Sequence, residues 1–137
     1  MLHTRPFLLI EDDDVDVLSL KRAFRELNIP NPLINKRNGE EALEYLTADG
    51  AELPGLILLD LNMPRMNGIE FLIHLKKHKQ LKLIPVVMLT TSSNRTDVEK
   101  CFEYQAAGYM VKPIDFSEFK KNILHICNYW NTSQLPY

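Results

Sequence analysis

The chain has 137 residues and a formal net charge of -2, a length that suits one ordinary domain and not two. Hydrophobic residues make up 45% and charged residues 25%, a globular balance that excludes a disordered or fibrous chain. No basic stripe is present to track nucleic-acid phosphates, and no apolar run approaches the roughly 20 residues that cross a bilayer.

The segment Met1 to Pro6 carries no small-residue cleavage site, so no signal peptide is read there. The two cysteines, Cys101 and Cys127, lie inside helical patterns and read as reduced, buried thiols. The expected location is the cytoplasm.

Phe7-Leu8-Leu9-Ile10 is a short continuous apolar run, as a strand buried on both faces requires. Acids at Asp12 to Asp14 follow, and then Val17, Leu20, Phe24 and Leu27 recur at helical spacing, with Asp13 or Asp14 as N-cap. Asn28 and Pro30 stop that helix, and Leu33-Ile34 marks a weaker second strand. Asn38-Gly39 turns the chain into a short helix, Glu40 to Leu46, with Ala42, Leu43 and Leu46 inward.

The clearest strand is Leu56-Ile57-Leu58-Leu59, ending on Asp60. Met63-Pro64 and Asn67-Gly68 form the loop before a helix presenting Ile69, Leu72 and Leu75. His74 and His78 share a face of that helix, but no third ligand accompanies them, and with Lys76, Lys77, Lys79 and Lys82 they read as a solvated surface.

Pro85 opens a fourth strand, Val86 to Leu89, ending on Thr90. Val98, Cys101, Phe102 and Gln105 form one stripe of the next helix. A fifth strand, Tyr109 to Val111, starts at Gly108 and ends at Lys112-Pro113. The last helix presents Phe116, Phe119, Ile123, Cys127 and Trp130.

Strands alternating with helices imply parallel βαβ units with right-handed crossovers, hence a three-layer α/β domain. Polar residues stand where each buried strand stops: Glu11-Asp12, Asp60, Thr90 and Lys112. The crossovers bring these ends to one edge of a parallel sheet, where open α/β folds bind ligands.

Clustered carboxylates repel one another by about 1 to 4 kcal/mol per pair at ~4 Å, and a hard cation such as Mg²⁺ relieves that repulsion. Asp60 is then a candidate nucleophile for an aspartyl phosphate. Lys112 and Thr90 are placed to offset charge on phosphoryl oxygens. Taken singly, each residue has a plainer explanation as turn former, helix cap or solvated lysine; their joint placement at four strand ends favours chemistry.

The segments Leu9-Ile10-Glu11-Asp12, Leu58-Leu59-Asp60-Leu61-Asn62-Met63-Pro64, Val87-Met88-Leu89-Thr90 and Tyr109-Met110-Val111-Lys112-Pro113 resemble the receiver domain of two-component response regulators. The resemblance covers residues 5–130. It implies a doubly wound, flavodoxin-like (βα)5 sheet in order 2-1-3-4-5, with a receiver over residues 1–130, a tail over 131–137 and no output domain.

It also implies that Asp60 is the phosphoacceptor. Glu11, Asp12, Asp60 and the backbone carbonyl of Asn62 would hold Mg²⁺. Thr90 and Tyr109 would be the switch pair, and Lys112 the phosphate partner, joined to Pro113 by a cis peptide. The implied phosphoryl donor is a sensor histidine kinase or a histidine phosphotransfer protein. The readout is the surface of the fourth helix, fifth strand and fifth helix, offered to an unidentified downstream protein.

Thr91, where Ala is frequent, is expected to slow access to Asp60, and Asn62 and Ser92 to tune the phosphate's lifetime. The ending Asn128-Tyr129-Trp130 with Leu135-Pro136 is similar to single-domain regulators of bacterial phytochrome-type kinases, which often dimerise through that same surface.

Two rival readings use the same parts. An aspartate-nucleophile phosphatase would place its acids last and a second Asp two residues after the nucleophile, where this chain has Asn62. A receiver fold that binds partners without phosphorylation would not need the intact set Glu11, Asp12, Asp60, Thr90 and Lys112.

Overall fold

The computed structural model describes residues 5–137; the reading of Met1 to Thr4 lies outside the described residues. Five strands, β1 (Phe7–Ile10), β2 (Leu33–Lys36), β3 (Leu56–Leu59), β4 (Val86–Thr90) and β5 (Gly108–Val111), form one sheet in order 2-1-3-4-5. Every pairing is parallel. The connections carry α1 (Asp14–Glu26), α2 (Gly39–Thr47), α3 (Gly68–Lys77) and α4 (Arg95–Glu103), and α5 (Phe116–Thr132) follows β5.

Alternation along the central strands divides the core between the two sheet faces. Phe7, Leu9, Leu56 and Leu58 pack with Val17, Leu20 and Phe24 of α1 and Phe119, Ile123 and Cys127 of α5. Leu8, Ile10, Ile57 and Leu59 pack with Ala42 of α2, Phe71, Leu72 and Leu75 of α3 and Cys101 of α4. Strands β1, β3 and β4 are buried throughout, and β2 and β5 are half-covered edges. That burial explains why the three central strands read as unbroken apolar runs.

The helices start where capping chemistry says they should. Asp13 caps α1 through the N–H groups of Val15 and Asp16, and Asn67 caps α3 in a reciprocal box with Glu70. Asn38, Asn94 and Asp115 cap the others. Among the described residues, no helix is long and apolar enough to cross a membrane.

Several boundaries and faces differ from the expectation. Strand β2 continues two residues past Ile34, and α5 runs to Thr132. A single 3-10 turn at Leu81–Leu83, which no periodicity announced, buries Leu81 between α3 and β4. The stripe assigned to α4 is mostly wrong: Cys101 is buried, but Phe102 is 50% exposed. The helix ends at Glu103, and Gln105 turns away with φ 69°.

The last residues do not hang free. The Tyr137 hydroxyl donates to the Pro54 carbonyl at 2.6 Å, and the Arg5 guanidinium stacks over the Tyr137 ring.

Candidate phosphoacceptor site

The site is assembled by backbone register before any side chain contributes. Ile10 lies opposite Leu59 in the β1–β3 ladder, so Glu11 and Asp60, each one residue further on, leave the sheet at the same level. The Asp60 N–H donates to the Ile10 carbonyl at 3.0 Å, extending that ladder by a bond. The end of β1 is held from the other side by Asn35, whose amide donates to the carbonyls of Leu9 and Glu11. Met88 and Thr90 pair with Tyr109 and Val111, which brings Thr90 and Lys112 beside the acids; the Lys112 N–H donates to the Thr90 carbonyl at 2.7 Å.

Carboxylate oxygens of Glu11, Asp12 and Asp60 all lie within 4.8 Å of one another. Glu11 and Asp60 are buried, at 2% and 8% exposure. Burial pushes the Glu11 carboxyl up to about 7, against the pull of its hydrogen bond and charge contact with Lys112; the charge of Asp60 pushes it further up. Burial likewise raises the Asp60 carboxyl, opposed by the Lys112 ammonium, the Glu11 carboxyl, the Leu61 N–H and the Thr90 hydroxyl.

Acids held above their ordinary range chiefly by desolvation are a donor set awaiting positive charge. Three hard oxygens this close suit a small divalent cation. They open into a polar cleft of about 610 Å³ that Asn62, Thr91 and Lys112 also line.

The remaining expected residues fall around this centre. Thr90 is fully buried, and its hydroxyl accepts from the Ser92 N–H. Asn62 is exposed at the mouth, and Thr91 is exposed beside it. Tyr109 is half-buried, and its hydroxyl donates to the Ser92 carbonyl at 2.8 Å, tying β5 to the loop between β4 and α4. Ser92 itself donates to Asp97, an α4 contact that the sequence did not announce.

One expectation is corrected. No peptide bond among the described residues is cis, so Lys112–Pro113 is trans. The trans form is the lower-energy isomer of such a bond by about 0.5 to 1 kcal/mol. With it, Lys112 reaches Glu11 and Asp16, not Asp60. Asp16 is the residue sequence reasoning missed. Its place in the first turn of a helix gave it a sufficient role as a dipole partner.

The family model described as the response regulator receiver domain matches residues 7–124. The chain belongs to that family.

Response regulator Rcp1 of Synechocystis is 36% identical over 94% of this chain and 91% of its own length. The structure of the phosphorylated cyanobacterial phytochrome response regulator RcpA superposes with a TM-score of 0.90 at 31% identity, covering 98% of this chain and 100% of that one. The Mn²⁺-bound form of Rcp1 superposes at 0.87 with 35% identity, covering 97% and 99%. Receivers are signalling modules that bind a divalent metal and take a phosphoryl group from a histidine kinase. Fold and family therefore agree with the sequence reading.

Proposed function

We propose that Asp60 is the phosphoacceptor of this receiver and that Mg²⁺ is its metal. The carrying observation is the gathering of Glu11, Asp12 and Asp60 within 4.8 Å, beside Thr90 and Lys112. Asp12 and Asp60 would hold the ion with the Asn62 carbonyl, and Glu11 would act through water. The bound ion supplies charge neutralisation at the phosphoryl oxygens.

In the transfer itself, an Asp60 carboxylate oxygen attacks phosphorus. The bond to the donor imidazole breaks, and its electron pair leaves with the nitrogen. Lys112 then has a dianion to pair with, and Thr90 a phosphoryl oxygen to donate to.

Movement of Thr90 toward that oxygen would disturb its hydrogen bond with Ser92, which also receives Tyr109. This makes α4, β5 and α5 the readout surface. Phe102, Tyr104, Val111 and Tyr129 are exposed there, which favours a homodimer or a downstream protein as the occupant. The relatives' association with phytochrome supports a phytochrome-type kinase as donor.

Asn62 stands where a phosphatase of the rival kind needs its acid, so the site stores a signal and does not turn over substrate. Incubation with Mg²⁺ and an acyl phosphate tests the core of this reading. The wild type should gain the mass of one phosphoryl group, and Asp60→Asn none. No gain with that donor or with kinases would overturn it. A sedimentation profile that stays monomeric with a phosphate mimic would remove the homodimer.

A further inference from the structure

Lys112 is held by two carboxylates, and only one of them belongs to the acidic cluster. Its ammonium donates to Glu11 and, at 2.9 Å, to Asp16 Oδ2, from a side chain only 9% exposed. Among the described residues no hydrogen bond from Lys112 reaches Asp60. An ammonium has three donors, and here two are committed away from the nucleophile.

The direction of the Asp16 carboxylate is not what its own helix asks for. Asp16 is the third residue of α1, and its N–H is capped by Asp13. An acid at this position ordinarily reaches back to the N–H of the capping residue. That N–H is taken by Glu11 instead, and the Asp16 carboxylate turns across the cleft to a lysine 96 residues away. Asp14, on the same turn, shows the alternative: it pairs with Arg37, while the ion pairs of the lysine among the described residues go to Glu11 and Asp16.

We infer that Asp16 is a positioning residue that tethers Lys112 in the unphosphorylated receiver, and that the tether must be released before the lysine can meet a phosphoryl group. The inference rests on the reading of Asp60 as phosphoacceptor. Asp16 also sits on α1 next to Val15 and Leu18, which are 71% and 64% exposed. A partner seated on that end of the helix would therefore touch the tether directly.

The test follows phosphoryl incorporation by intact mass, with acyl phosphate and Mg²⁺ at one fixed concentration, in four chains. Asp16→Asn should be phosphorylated about tenfold faster than wild type, the scale of one charge-assisted hydrogen bond no longer broken on the way. Asp14→Asn removes the same charge from the same turn and should leave the rate at the wild-type value. Asp16→Glu, which keeps the charge, should restore most of the wild-type rate.

A rate in Asp16→Asn that is unchanged or slower overturns the tether. So does an equal acceleration in Asp14→Asn, which would be general charge relief for an anionic donor, or an Asp16→Glu chain as fast as Asp16→Asn. If wild type takes up no phosphoryl group at all, the reading of Asp60 fails first.

Discussion

Gly68 is the residue where fold and chemistry compete for the same space. It opens α3, and its N–H donates to the Leu61 carbonyl at 2.9 Å. A Cβ added there would lie 3.0 Å from the Leu61 Cα and 3.3 Å from the Asp60 carbonyl carbon, and closer still to the Asp60 carbonyl oxygen. Ordinary carbon contacts begin near ~3.5 Å, so about half an ångström must be found at Leu61, and more at the oxygen. All three atoms are backbone, and none can swing aside.

Overpacking of this kind costs about 1 to 3 kcal/mol, while alanine recovers about 0.4 to 1 kcal/mol through the unfolded chain and helix propensity. The net expectation for Gly68→Ala is a loss of about 1 to 2 kcal/mol. With a urea slope of about 1 to 3 kcal/mol per molar, the unfolding midpoint should fall by roughly 0.5 to 1 M. The strain lands on the residue carrying the nucleophile, and a misplacement near ~1 Å costs up to about a hundredfold in rate. Phosphorylation by an acyl phosphate should therefore suffer more than stability does. An unchanged midpoint together with a wild-type rate would refute the reasoning.

Other consequences are as direct. Glu11 in the folded chain is pushed up to about 7 from an ordinary 4.5, so the stability it contributes is full below about pH 4.5 and is lost as pH rises through 7. Metal-free protein should accordingly unfold at lower urea at pH 8 than at pH 5, and millimolar Mg²⁺ should flatten that trend. Burial raises the Tyr137 hydroxyl to about 12 and also lifts Tyr45 and Tyr109; ultraviolet titration of Tyr137→Phe should lose the last-titrating tyrosine, with that variant about 1 kcal/mol less stable for the lost bond to Pro54. Asn31 is buried and exchanges amide hydrogen bonds with Asn131 while donating to the Arg5 carbonyl. Asn31→Ala should cost about 1 to 3 kcal/mol in urea unfolding, and adding Asn131→Ala should cost much less than that again.

Much of this molecule was legible because burial on both faces of a parallel sheet leaves unbroken apolar runs, which end abruptly where chemistry begins. Glu11, Asp60 and Thr90 are each the first polar residue after such a run, or its last, and Lys112 follows the half-covered edge strand β5. Strand order was legible only through the family resemblance, since periodicity does not say which strands are neighbours. The misread α4 stripe has a local cause: a nine-residue helix with one buried side chain carries too little pattern to fix its face. The 3-10 turn at Leu81–Leu83 is shorter than any period. Asp16 escaped because a single carboxylate can serve its own helix or a distant lysine with the same sequence signature.

The ladder between β1 and β3 carries a consequence beyond architecture. It clamps two buried carboxylates at equal height, and apolar packing on either side of the sheet supplies the force that keeps them there. The core therefore holds the two acids close together, and a cation bound there would offset their shared charge. Loosening a leucine far from the cleft should then weaken the grip on metal well before the chain unfolds, so affinity for the ion is a strain gauge for the packing of the sheet.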